Sequence, residues 1–188
     1  MVIFSITDFL YFFTLYSPKF VTKETLMPKE TKTNAMRFLE QHKIPYRLYT
    51  YICEHFTDGV SVAQQLGQPP ERTFKTLITQ GRGRGFYVFV IPVAEELDVK
   101  KAARTVQEKS LHLLPVKNIL SVTGYIRGGC TPIGMKKAYP TYLHESCLNF
   151  DTIFVSGGRV GTQIELSPQA LLQACGGQTA DLTVSSAP

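Results

Sequence analysis

The sequence predicts one α/β domain of the mixed α+β type, with a mixed, largely antiparallel sheet flanked by helices. Two strand pairs carry that reading. FKTLIT and FYVFVIPV flank the glycine-rich GRGRG, and TIFVS and TQIEL flank the turn at Gly157-Gly158, so each pair reads as a hairpin. Capped helical patterns interleave with the strands, yet the tight hairpins favour a mixed sheet over a doubly wound parallel one. At 188 residues, 44% of them hydrophobic and 19% charged, the chain has the size and composition of one globular domain.

The elements follow in order. Thr33 or Asn34 caps a helix through about Gln41, with Ala35, Met36, Phe38 and Leu39 on its apolar side. Tyr46 to Ile52 alternates as a strand does, and Ser61 caps a short helix, VAQQL, that Gly67 stops. The hairpin from Thr73 to about Val93 is the central pair. Asp98 caps VKKAARTV, in which Val99, Ala102, Ala103 and Val106 form a stripe while Lys100, Lys101 and Arg104 face water. Leu111 to Gly134 reads as loop-rich. After the second hairpin, Ser167-Pro168 caps and opens a helix that Gly176 closes, and ADLTV is a closing strand.

Residues 1–26 differ from the rest. MVIFSITDFLYFFTLYSPKF is apolar and aromatic, but it carries Asp8 and lacks the basic start and small-residue cleavage site of an export signal. It is also too interrupted to span a bilayer. The expectation is an N-terminal extension over 1–26, from an upstream start or as an appendage, and a domain over 27–188 with no membrane association. A net charge of +5 favours polyanionic partners without demanding them. Cys53, Cys130, Cys147 and Cys175 form no Cys-x-x-Cys pair and the four His are scattered, which speaks against a metal site and for a reducing, cytoplasmic setting.

Two glycine-rich stretches draw attention. GGCTPIGMKK keeps the Gly129–Gly134 spacing of a phosphate-binding loop, but Met135 stands where that loop needs lysine and Lys136-Lys137 come one position late. Gly128 and Gly129 open backbone conformations closed to other residues and let a ligand approach the main chain, with Thr131 adding a hydroxyl; a plain tight turn is the alternative. VSGGRVG ends a strand, and its Ser156 lacks the Gly-x-Ser-x-Gly setting of a hydrolase nucleophile. Strand alternation puts Lys75 with Leu77 and Thr79 on one face, and Phe74, Thr76 and Ile78 on the other. Lys75 is then either an edge charge reaching water or a cation placed in a pocket.

Taken in order, the helix leading into TYI, LG followed by FKTL, IPVAEELDVKK, GYIRGGCTPIGMKK and TIFVSGGRVGTQIEL resemble the YbaK-type aminoacyl-tRNA deacylases, which are similar to the editing domain inserted in bacterial prolyl-tRNA synthetases. The resemblance runs from about Thr33 to Val184. It implies a barrel-like sheet, a pocket for the aminoacylated 3′ end of tRNA, no cofactor, and hydrolysis of cysteine mischarged onto proline tRNA, often in association with prolyl-tRNA synthetase. By motif, Lys75 becomes the pocket lysine near the terminal adenosine and ester, with Thr76 its neighbour. Tyr51 lines the pocket, Gly128, Gly129 and Thr131 present the glycine loop, and Ser156, Gly157 and Gly158 form the opposing wall. Some relatives carry Asp where this chain has Gln163, and EHFTDG is shorter than its counterpart and lacks an aromatic near its end.

The chemistry implied for the cysteine-specific members is substrate-assisted: the cysteine thiol attacks its own ester carbonyl, so no catalytic triad is needed. Lys136 and Lys137 are candidates for tRNA phosphate contact or a solvated pair. An alanine-specific deacylase and a non-catalytic tRNA-binding module remain the other readings.

Overall fold

Residues 31–53 and 58–184 are described by the computed structural model, and those from Lys32 onward belong to one compact unit. The expectations for residues 1–26 and for most of EHFTDG lie outside the described residues.

Helix α1, Asn34–Gln41, begins where Thr33 is still extended and its hydroxyl accepts the Met36 N–H at 3.2 Å. Ala35, Met36 and Leu39 are buried, as their spacing predicts. Strand β1 is Arg47–Thr50. Helix α2, Gly59–Gln65, corrects the expected cap. Asp58 holds that position, its carboxylate accepting the N–H groups of Val60 and Ser61 at 3.0 Å each, while Ser61 sits in the first turn and donates its hydroxyl to Asp58. A carboxylate outcompetes a hydroxyl at the positive end of a helix.

Strands β2, Phe74–Gly81, and β3, Phe86–Pro92, form the expected antiparallel hairpin, with Lys75 opposite Ile91 and Thr76 opposite Val90. Val88, Phe89, Val90 and Ile91 are all fully buried. Each such side chain contributes roughly 1.5–3 kcal/mol, which makes β3 the spine of the fold. Helix α3, Val99–Thr105, is capped by Asp98. Val99 is exposed, however, because the first side chain of a helix leans back past the layer that covers Ala102 and Ala103.

The stretch expected to be loop-rich contains strand β4, Leu111–Leu113, and helix α4, Val116–Thr123. Pro115 starts that helix without a side-chain cap, and Val116 and Leu120 stay exposed, so neither a cap nor a clean apolar stripe announces it. Strands β5, Thr141–His144, β6, Ile153–Ser156, and β7, Thr162–Leu166, come next. Helix α5, Pro168–Cys175, has the expected Ser167 cap and ends at Gly176 with φ 61°. The closing strand is β8, Gln178–Ala180, ahead of the expected ADLTV. The Leu182 N–H donates to His144 Nδ1 at 3.2 Å, and Thr183 bridges Leu97, so the chain has left the sheet by then.

Strands β1-β7-β6 form an antiparallel sheet, and β4-β2-β3-β5-β8 form a second in which β3–β5 and β5–β8 are parallel. In place of one barrel-like sheet there are two, joined among the described residues at a parallel bridge from Thr73 to Phe154. One core cluster takes Phe74, Ile78, Val88 and Val90 from the larger sheet and Ile153, Val155, Ile164 and Leu166 from the smaller. Phe89 and Ile91, with Leu77 packed beside them, belong to the second cluster.

On the face of the smaller sheet turned away from the first cluster, Glu165 is 9% exposed. It accepts hydrogen bonds from Tyr49 at 2.8 Å and Thr152 at 2.6 Å, and faces Arg72 at 3.6 Å and Arg47 at 3.9 Å. Arg72 also donates to the Thr152 carbonyl and lies over the Phe154 ring. Burial pushes the carboxyl pKa up, but the two hydroxyl donors and two guanidinium groups outweigh it and hold it below the ordinary value. The folded group therefore titrates below the unfolded one. Its contribution to stability is complete above the ordinary glutamate range, about pH 4.3, and is lost as pH falls through the lower folded value. Glu165→Gln is expected to lower the unfolding free energy by about 1–3 kcal/mol at pH 7, with the gap to the parent closing toward pH 3, as measured by urea unfolding at both pH values.

Candidate active site

The bridge between the sheets decides which candidate residues share a face. Residues paired across a parallel bridge point the same way, and every second residue along each strand follows them. Counting two on from Thr73 gives Lys75, and two on from Phe154 gives Ser156. Ser156 is paired with Gln163 on β7, and Gln163 with Tyr49 on β1. Lys75, Ser156 and Gln163 therefore lie on one face across both sheets. Thr76 takes the other, between Phe74 and Ile78 of the first core cluster, and its hydroxyl is buried without a hydrogen-bond partner.

Lys75 is half-buried and donates to the Val93 carbonyl at 2.9 Å. Burial pulls its pKa down, and the carboxylates of Glu96, Glu95 and Asp58 push it part of the way back, leaving it below the ordinary lysine value. Gln163 is 6% exposed, and its Oε1 has no partner among the described residues. A buried acceptor left empty costs about 1–3 kcal/mol, so this carbonyl is available to a donor brought by a ligand.

The two glycine loops meet beyond Ser156, whose hydroxyl makes a long, 3.5 Å contact with the Gly128 carbonyl. A Cβ on Gly129 would lie 2.7 Å from the backbone of Arg159, so only glycine allows the approach. Gly128 has φ 84° and Gly158 φ 94°, both in the left-handed region. The Gly129 N–H is committed to the Ile126 carbonyl at 3.1 Å, and that of Gly157 to the Thr162 carbonyl at 2.9 Å. Gly129 is thus a close-packing residue, and the N–H groups of Gly128 and Cys130 on either side of it make no main-chain hydrogen bond among the described residues. Tyr51 stands at the end of the second loop, where its N–H donates to the Gly161 carbonyl at 2.9 Å. Its phenol is half-buried, and burial raises the pKa, which keeps the O–H as a donor.

Two residues that motif reading passed over hold the loops in place. The Tyr125 hydroxyl donates to the carbonyls of Ile133, at 2.7 Å, and Gly134, at 3.2 Å, while its ring edge backs Gly158. The Gly129–Gly134 spacing thus wraps the loop around a tyrosine hydroxyl and not a phosphate. Thr33, besides capping α1, donates to the Gly157 carbonyl at 2.6 Å. The sequence signal for Tyr125 was its place beside Gly124 in GYIRGG; nothing near Thr33 hints at a partner 124 residues away.

Other candidates sit apart from this face. Thr131 is fully buried and its hydroxyl has no partner among the described residues, so it turns into the core rather than out along the loop. Cys130 is buried as well, and burial pushes its thiol up to about 12, against a role as attacking thiolate. Lys136 and Lys137 are exposed at the far end of the loop.

These features define a mixed α+β domain whose candidate site combines one lysine, one unpartnered amide carbonyl and two glycine loops. Residues 54–174 match the family model described as the aminoacyl-tRNA editing domain. The chain belongs to that family. It is 48% identical over 155 residues to EbsC of Enterococcus faecalis, a candidate Cys-tRNA(Pro)/Cys-tRNA(Cys) deacylase by name, covering 82% of this chain and 94% of that one. It is 31% identical over 140 residues to the uncharacterized protein YwhH of Bacillus subtilis, covering 73% and 88%. Among solved structures, a candidate trans-editing enzyme for prolyl-tRNA synthetase superposes with a TM-score of 0.72 at 26% identity, covering 81% of this chain and 96% of that one. Among the described residues no helix is long and apolar enough to cross a membrane.

Gly129→Ala tests the loop contact. The added methyl forces the two loops apart, so activity is expected to fall at least about tenfold, with a lowered melting temperature and a native circular dichroism spectrum below it.

Proposed function

We propose that this protein is a trans-editing aminoacyl-tRNA deacylase that removes cysteine mischarged onto proline tRNA. The carrying observation is the face shared by Lys75, Ser156 and Gln163 beside two loops that offer main-chain groups. Ser156 donates to a carbonyl and not to a base, and the Cys130 thiol is held protonated. The protein thus presents groups that bind and orient better than groups that attack, which fits a substrate carrying its own nucleophile.

On this reading Lys75 meets the 3′ end of the tRNA, Gln163 Oε1 accepts a donor from the aminoacyl group, and Tyr51, Gly157 and Gly158 shape the wall. The N–H groups of Gly128 and Cys130 face the developing oxyanion. The cysteine sulfur bonds to its own carbonyl carbon, the ester C–O bond breaks, and the thiol proton ends on the departing ribose oxygen. Holding sulfur and carbonyl at attack distance supplies roughly 7–11 kcal/mol of the barrier. Thr76 and Thr131 support this face from the core side, and Lys136 and Lys137 take the phosphates of the acceptor stem. Buried thiols at Cys130 and Cys147 suit a reducing cytoplasm, where the partners are the aminoacyl-tRNA and, in passing, prolyl-tRNA synthetase.

The test is a single-turnover assay on tRNA(Pro) charged with cysteine, alanine or serine. Release of cysteine alone is expected. Equal release of alanine points to a thiol-independent route, and binding of tRNA with every ester intact defeats the enzyme reading. In the same assay Lys75→Ala is expected to lose at least about a hundredfold in rate with the fold intact by circular dichroism, while Cys130→Ala keeps most of the activity.

A further inference from the structure

The surroundings of Lys75 carry a second, unassigned layer of the site. Its ammonium ends at the Val93 carbonyl, and Val93 packs against Gly59, the first residue of α2, where an added Cβ would lie 2.6 Å from Val93 Cγ1. That packing brings Asp58, the cap of α2, to the same place. Directly after Val93 the chain turns, the Glu95 N–H donating to the Pro92 carbonyl at 3.1 Å, and presents Glu95 and Glu96 in succession. Three carboxylates from two elements thus lie near enough to act on the charge of one lysine, whose own hydrogen bond goes to the Val93 carbonyl. Asp58 is engaged by the N–H groups and hydroxyl at the start of α2, which leaves Glu95 and Glu96 as the adjustable members.

The acidic turn is itself held from behind. Residues 181–184 run across it: the Asp98 N–H donates to the Leu182 carbonyl at 2.8 Å, and the Val184 N–H to the Glu96 carbonyl at 3.1 Å. His144 joins both layers. Its Nδ1 accepts the Leu182 N–H at 3.2 Å, and its Nε2 lies 3.3 Å from the Thr183 hydroxyl and 3.8 Å from Glu95 Oε2. The nearby cation Lys101 is tied to Asp181 and the Thr183 carbonyl, on the strap side of the turn.

We propose that Glu95, beside His144, and Glu96, tied by its carbonyl to the C-terminal strap, are positioning residues that keep Lys75 charged and aimed at the substrate face. The inference rests on Lys75 serving the proposed deacylation. Without the two carboxylates a half-buried lysine is left with the cost of desolvation and loses its proton at lower pH, as the direction of its present shift indicates. Neutral Lys75 gives up its charge–charge attraction for the tRNA end, so the defect is one of protonation and is repaired by acid.

The experiment titrates the full-length protein with 13C at the lysine Cε positions, assigning the Lys75 signal by its absence from Lys75→Arg. Glu95→Gln together with Glu96→Gln is expected to lower the Lys75 midpoint by on the order of one unit. In the deacylation assay the same pair loses activity at the upper end of the pH range and recovers it toward pH 6, with the loss in KM. An unchanged Lys75 midpoint overturns the proposal, as does a loss of activity equal at every pH, which marks a merely structural turn. Full activity of Lys75→Ala removes Lys75 from the reaction instead, and separates failure of the functional reading from failure of this one. His144→Gln, read by the same signal, is expected to shift the midpoint in the same direction by less.

Discussion

The approach of Gly129 to the backbone of Arg159 is the constraint on which the rest of the site depends. Two loops from distant parts of the chain are pressed together with no side chain between them, and a Cβ at that point would sit 2.7 Å from main-chain atoms. Such a contact has little adjustability. It holds only because neighbours fix each loop separately: Tyr125 gathers the first by its carbonyls, and Thr33 fastens the second to the start of α1. Ser156 then spans the gap to Gly128. The main chain on which the proposed site relies is fixed by packing and hydrogen bonds made elsewhere, which is the condition for stabilising a developing charge without reorganisation at the moment of reaction.

Charge is handled differently at the two ends of the same face. Glu165 is a buried anion whose capacity is spent inside the protein, on Tyr49, Thr152 and two arginines. It orders the smaller sheet and offers nothing to a ligand. Lys75 is a cation whose hydrogen bond goes to a carbonyl, with carboxylates near but not bonded to it. A neutral main-chain acceptor positions the ammonium without cancelling its charge, so the group remains able to attract an anion. Gln163 lies between the two, on the strand of Glu165 and in the row of Ser156. Its neutral carbonyl suits a site in which the neighbouring carboxylate is already committed.

Much of this was legible from local pattern. Both hairpins, the Thr33 and Asp98 caps, and the Ser167-Pro168 start with its Gly176 stop are written in a few adjacent residues, and the structure has them where they were expected. Alternation along β2 separated Lys75 from Thr76. What pattern alone left open was which of the two looks toward Ser156, since that depends on the Thr73–Phe154 bridge between residues 81 positions apart in number. Helix α4 was missed because its exposed Val116 and Leu120 blur the periodicity and Pro115 supplies no cap. The last strand was misplaced because a histidine side chain captures the Leu182 N–H, and no local rule anticipates that. Family resemblance supplied the candidate site residues, but it passed over Tyr125 and Thr33, which act by holding main chain and leave no motif.

The order of strands in the smaller sheet bears on when the protein becomes competent. Its central strand, β7, pairs Glu165 with Arg47 and Gln163 with Tyr49, so the partner of β1 lies far along the chain from it. The β2–β3 hairpin can form as soon as it leaves the ribosome, whereas closing the far longer loop from β1 to β7 waits until β7 has been synthesised. A nascent chain therefore carries Lys75 on a finished hairpin well before Ser156 and Gln163 exist to face it. The site that is proposed to guard translation is assembled only after β7 has itself been translated.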